Sequence, residues 1–171
     1  MPLILGTALA HANKDIDQAG FDLVNAFLTK AGLDLTGAAQ SDGAGAEAFF
    51  TLDFMTHYLS FMSKQKDSPD FHRALPILGK DGTLFKIQVN SPAAGQVFAK
   101  TGTYGTSDEL NRKMMITGKG LAGYVETAKG THLAFALYVN MVAVPLEDPD
   151  AAQNIAGEAL GEIATAAYSS F

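Results

Sequence analysis

A chain of 171 residues is long enough to bury a sizeable core, and 47% hydrophobic with 18% charged residues is the balance of a folded protein, not of a disordered one. A net charge of −6 argues against general nucleic-acid binding, which needs clustered positive charge. The lack of cysteine excludes disulfides, cysteine-ligated metal and a thiol nucleophile. One domain over residues 1–171 is the expectation.

In chain order, Leu3–Ala10 is apolar but short, has no basic flank and leads into a polar segment, so it is read as neither a signal peptide nor a membrane span. An exported form would carry its signal upstream of Met1. Residues 21–32 predict a helix with Leu23, Ala26, Phe27 and Lys30 at helical spacing and Gly32 as its stop. Residues 33–47, with Asp42-Gly43, read as a loop. A second helix is expected over 51–66, capped by Thr51, with Leu52, Met55, Leu59 and Met62 in one stripe and Asp67-Ser68-Pro69 as its end. Residues 74–84 are punctuated by Pro and Gly.

A sheet follows. Gln96–Ala99 and Leu121–Thr127 are the first two expected strands, and Thr131–Asn140 returns as a third after a turn at Ala128-Lys129-Gly130. The third is apolar on both faces, which predicts a central strand covered on each side. The last element is a helix capped by Asp148, begun by Pro149 and patterned by Ala152, Ile155, Ala159, Ile163 and Ala166. The fold class is therefore α+β, an antiparallel sheet covered by helices.

Charge is unevenly spread. Residues 1–55 hold two lysines against seven acids, and residues 56–130 hold ten Lys or Arg against six. Residues 131–171 hold five acids and no Lys or Arg. The middle third is a local positive field suited to an anionic group. It contains Lys100-Thr101-Gly102-Thr103, at the end of the apolar run Val97-Phe98-Ala99. A glycine on a sheet edge lets another backbone come close, and a hydroxyl with an ammonium beside it holds a carboxylate.

Lys-Thr-Gly is one signature of the penicillin-recognising serine enzymes. The wider run, from Ala74-Leu75-Pro76 through Asn90-Ser91-Pro92 and Leu121-Ala122-Gly123-Tyr124 to Tyr138-Val139-Asn140, resembles the D-alanyl-D-alanine carboxypeptidases of the S13 peptidase type, the PBP4-like group. Asp42-Gly43-Ala44-Gly45 is similar to that group's Asp-Gly-Ser-Gly turn, and residues 108–124 resemble an extended linker after the motif. The resemblance covers most of the chain from Phe21 onward. It implies the C-terminal part of the β-lactamase/transpeptidase-like fold. The activity implied is serine-type hydrolysis of the D-Ala-D-Ala amide of peptidoglycan stem peptides through an acyl-enzyme. Lys100 is then the catalytic lysine of the motif and Thr101 the hydroxyl on the substrate carboxylate. Gly102 is the space for substrate, and Thr103 supplies an oxyanion-hole N–H.

The departures bear on activity. The Ser-x-x-Lys and Ser-x-Asn segments are absent at their family places, and Ala44 stands where the family commonly has serine. Ser63-Lys64-Gln65-Lys66 fits Ser-x-x-Lys literally but sits at the polar end of a helix, and it is set aside as nucleophile. Tyr138-Val139-Asn140 is read as structural, Ser107-Asp108-Glu109 as a solvated loop and Met114-Met115 as packing. His11, His57, His72 and His132 have no ligand spacing, so no metal and no cofactor are expected. The expected partner is a peptidoglycan peptide or a β-lactam, with no nucleic acid and no membrane span, in periplasm or envelope. Two alternatives stand beside the carboxypeptidase: a β-lactamase- or esterase-like hydrolase, and a catalytically silent fragment that forms homo-oligomers to cover an open sheet edge.

Overall fold

The computed structural model describes residues 16–41, 48–145 and 149–171. Leu3–Ala10, His11, the Asp42–Gly45 turn and the Asp148 cap lie outside them. The chain divides into two compact units between Phe61 and Met62.

In the first unit, helix α1 (Ile16–Lys30) stops where the sequence predicts. Gly32 has φ 77°, its N–H bonds Thr29 O at 2.9 Å and the Leu33 N–H bonds Leu28 O at 3.1 Å, which satisfies the last carbonyls. The stripe is different: Phe27 is exposed, and Gly20 is the buried position. The expected loop contains a 3-10 turn, Leu35–Gly37, and a two-strand ladder of β1 (Ala38–Gln40) and β2 (Ala48–Phe50). Three-residue strands are too short to show a period. Helix α2 (Leu52–Met62) is capped by Thr51, whose hydroxyl accepts from Phe54 N at 3.1 Å. It buries Phe54 and Leu59, and Phe54 stacks between Phe50 and Tyr58.

The second unit begins with a correction. Asp67-Ser68-Pro69 does not close a long helix but opens a short one, α3 (Ser68–Arg73), with Pro69 in the first turn, where a missing N–H costs nothing. The sheet is larger than expected. β3 runs Val97–Asp108, β4 Lys113–Glu126, β5 His132–Val139 and β6 Val142–Pro145. The segment read as a linker is instead a long hairpin, closed by a turn in which Asp108 accepts from Asn111 N at 3.2 Å and Nδ2 at 2.9 Å.

β4 is the central strand, with β3 on one side and β5 then β6 on the other. β5 is therefore an edge among the described residues, not the covered centre that its apolar faces suggested. Both neighbours of β4 break at one level. The β3 register shifts between Tyr104 and Gly105, and the β5–β6 break falls at Met141, φ 57°.

Helix α4 (Pro149–Ser170) starts at the predicted proline. Its buried face is Ala156, Leu160 and Ala164, while Ile155 and Ile163 of the expected stripe are exposed. The reason is close approach: a Cβ on Gly161 would stand 2.7 Å from Ile87 Cγ2. Leu160 and Ala164 join Leu78, Leu84, Ile87, Val97, Ala99, Leu121 and Val125 in the main core. Each large aliphatic buried there contributes roughly 1.5–3 kcal/mol.

Candidate functional site

The core fixes how β3 presents the Lys-Thr-Gly-Thr sequence. Strand side chains alternate, so Val97 and Ala99, both fully buried, put Thr101 and Thr103 on the same face, that of α4. Phe98 sets the other face, against His72 at 4.2 Å between rings, and Lys100 and Gly102 follow it. Sequence placed the motif at a strand's end. The structure places it mid-strand, with Lys100 to Thr103 paired regularly to Ala122, Leu121, Gly120 and Lys119.

Among the described residues of this unit, the outer edge of β3 is covered only at its start. Leu78 N donates to Val97 O at 2.9 Å and Ala99 N to Pro76 O at 2.9 Å, around the isolated bridge Ile77–Phe98. These bonds show that the backbone groups of Val97 and Ala99 point away from β4. By the two-residue alternation, those of Thr101 and Thr103 do so as well. From Lys100 onward the described residues of this unit place no strand on that edge. Lys100 Nζ bends back to donate to Thr101 O at 2.6 Å, a carbonyl it can reach because that edge is open. A Cβ on Gly102 would meet nothing within 4 Å.

The hydroxyls are tied from both sides. Thr101 Oγ1 donates to Thr83 Oγ1 at 2.9 Å, from the 3-10 turn Gly82–Leu84. Thr103 Oγ1 accepts from Lys119 Nζ at 2.8 Å. Lys119 is the residue that sequence reading missed. It is buried, and burial first and the Lys100 charge second lower its pKa below the ordinary lysine value. A signal was present: a lysine between glycines, Gly118-Lys119-Gly120, inside an otherwise apolar strand pattern.

The remaining candidates have local roles or exposed positions of their own. Ser63 and Lys66 lie in the exposed turn after α2, with no helix N-terminus beginning at Ser63. Ser107 and Asp108 end β3, where Asp108 shapes the hairpin turn. Tyr138 packs its ring over Gly120, 2.8 Å from where a Cβ would stand. Met114 packs with Ile116, Ala156 and Val142. His57 is exposed on α2, 2.9 Å from Asp53 O. Among the described residues no helix is long and apolar enough to cross a membrane.

The fold is shared with penicillin-binding proteins and β-lactamases. Penicillin binding protein 4 from Haemophilus influenzae matches with a TM-score of 0.66 at 25% identity, over 89% of this chain and 32% of that one. A second structure of that protein, complexed with a β-lactam, matches at 24% identity over 89% and 34%, with a TM-score of 0.66. A predatory endopeptidase from Bdellovibrio bacteriovorus, in complex with an immunity protein, matches at 0.60 and 21% over 98% and 43%. A class A β-lactamase from Bacteroides cellulosilyticus matches at 0.56 and 15% over 91% and 57%. The chain thus spans about a third of the length of the penicillin-binding protein. No curated protein sequence matches it. The sequence profile of the D-Ala-D-Ala carboxypeptidase 3 (S13) family matches residues 3–160, through both compact units. The chain belongs to the D-Ala-D-Ala carboxypeptidase 3 (S13) family.

Proposed function

We propose that this chain supplies the substrate-gripping strand of a serine-type D-Ala-D-Ala carboxypeptidase acting on peptidoglycan stem peptides in the periplasm or envelope. The observation that carries the reading is the uncovered edge of β3 from Lys100 to Thr103, with open space over Gly102. An extended peptide adds to such an edge as a strand, and its carbonyl meets the outward N–H of Thr103 as an oxyanion donor. The Thr101 hydroxyl turns its proton from Thr83 Oγ1 to the terminal carboxylate, with the Thr83 hydroxyl donating to it in exchange, and Lys100 supplies positive potential beside the reacting carbonyl. Both compact units are read as parts of one transpeptidase-like domain, since the family profile runs through both. No residue of this chain is assigned as the nucleophile, so the strand by itself binds and does not turn over. A β-lactam carboxylate suits the same grip, as the complex of the Haemophilus relative favours.

The test is an amide-resolved NMR titration of the labelled chain with N-acetyl-D-alanyl-D-alanine. Shifts confined to Lys100–Thr103 and their neighbours on β4, and lost in Gly102→Val, are expected. Shifts scattered over the surface, or none, would refute the reading.

A further inference from the structure

Lys119 is 6% exposed, and among the described residues it and Thr127 are the buried polar ones. It stands on β4 directly opposite Thr103, and its Cε lies 3.7 Å from where a Cβ on Gly157 of α4 would be. A buried ammonium is ordinarily paired with a carboxylate. Among the described residues no carboxylate pairs with it, and its bond is to a neutral hydroxyl, Thr103 Oγ1, at 2.8 Å. The charge that acts on it is another cation, Lys100, whose side chain leaves β3 on the opposite face. Two cations therefore flank one short stretch of open strand and place a positive field along it.

The hydroxyl between them has a defined direction. A threonine hydroxyl has one proton to give and two lone pairs to offer. The ammonium gives protons only, so Thr103 Oγ1 must accept from it and keeps its own proton for another partner. A hydroxyl that accepts from a cation is also the stronger donor. Thr103 is exposed, on the same face as Thr101 one strand repeat earlier. We infer that Lys119 is a positioning residue for anion recognition: it turns the Thr103 hydroxyl into a fixed outward donor, which with Thr101 selects a ligand bearing a carboxylate at the edge of β3. The inference rests on the proposed reading of β3 as the substrate strand.

A lysine that merely ties β3 to β4 would affect every ligand of the strand alike. The discriminating measurement is therefore a ratio. The labelled chain is titrated with N-acetyl-D-alanyl-D-alanine and, in parallel, with its C-terminal carboxamide, in the unaltered protein, Lys119→Met, Thr103→Val and the double variant. Lys119→Met is expected to weaken the carboxylate about tenfold, the usual worth of a charge-assisted hydrogen bond, and to leave the carboxamide unchanged. Thr103→Val alters an exposed position and keeps the lysine, and it should cause the same selective loss, with no further loss in the double variant. Equal weakening of both ligands, or carboxylate binding unchanged in Lys119→Met, overturns the inference while leaving the strand reading intact. No shift at Thr101–Thr103 in the unaltered chain with either ligand overturns the strand reading, and the role of Lys119 with it.

Discussion

Gly123 and Gly102 lie on adjacent strands, three register pairs apart, yet their surroundings are opposite. A Cβ added at Gly123 would stand 2.1 Å from Phe98 O and 2.6 Å from Ala99 Cα. Both are backbone atoms of β3, so no side chain can swing aside, and the two strands must part where Ala99 and Val97 are fully buried. Overpacking of a core costs typically 1–3 kcal/mol, and a clash against backbone belongs at about 3 or above. For a chain of this length about 3 kcal/mol lowers Tm by roughly 10 °C. At Gly102 the same methyl meets nothing within 4 Å, and surface substitutions of that kind stay within about 0.5 kcal/mol. Thermal unfolding of Gly123→Ala and Gly102→Ala, followed by circular dichroism beside the unaltered chain, reads the difference directly. Equal losses in the two variants, or a Gly123→Ala variant as stable as the parent, would refute the placement of these strands.

Gly102→Val should keep the parent's Tm within a degree or two and abolish dipeptide-induced shifts on β3, because the branched side chain fills the edge without touching the core; a large drop in Tm would count against that edge being open. Intact-mass measurement after incubation with benzylpenicillin should show no acyl adduct, and an adduct abolished by Ser63→Ala would reinstate Ser63-Lys66 as a nucleophile pair. Thr51→Ala removes the hydroxyl that accepts from Phe54 N and should cost about 1 kcal/mol in urea unfolding. Lys119 gives a pH dependence. Its folded pKa lies below the unfolded lysine value of 10.5, so between the two the unfolded chain binds the extra proton and stability rises with pH. Tyr138, raised by burial, works the other way at the alkaline end. The urea midpoint of the parent minus that of Lys119→Met should accordingly climb toward pH 10.5, and a flat difference would show that the lysine is not desolvated.

The parts legible in the sequence were those with local causes. Gly32 ends α1, Thr51 caps α2 and Pro149 opens α4 because each answers a need of the nearest turn. The open strand edge was suggested by Gly102, whose residue type alone allows close approach. The long hairpin could not. Residues 101–108 are Thr, Gly, Tyr, Ser and Asp on an exposed edge, with no apolar face to impose alternation, and only pairing with β4 holds them extended. The buried face of α4 was misread because burial went to Ala156, Gly157, Leu160, Gly161 and Ala164, where the two glycines let Ile87 approach, and not to Ile155 and Ile163. β5 looked central from composition, but an apolar strand says only that its faces want cover, and nothing of its edges.

An open edge is a hazard in most sheets, and this one is rationed. The Pro76–Leu78 segment pairs with β3 as far as Ala99 and no further, so among the described residues of this unit the uncovered stretch begins at Lys100. Leaving those backbone groups to water costs little stability, because a solvated N–H loses only the small net worth of a protein hydrogen bond. The same groups gain when a peptide excludes that water. Rigidity comes from the other side: every residue from Val97 to Tyr104 is in register with β4, and the one irregularity lies beyond the motif, between Tyr104 and Gly105. Backbone pairing alone would accept any extended chain. If β3 takes a peptide as proposed, selection must come from groups that recognise an end, and on that proposal the two threonine hydroxyls with Lys100 and Lys119 about them serve an anionic one.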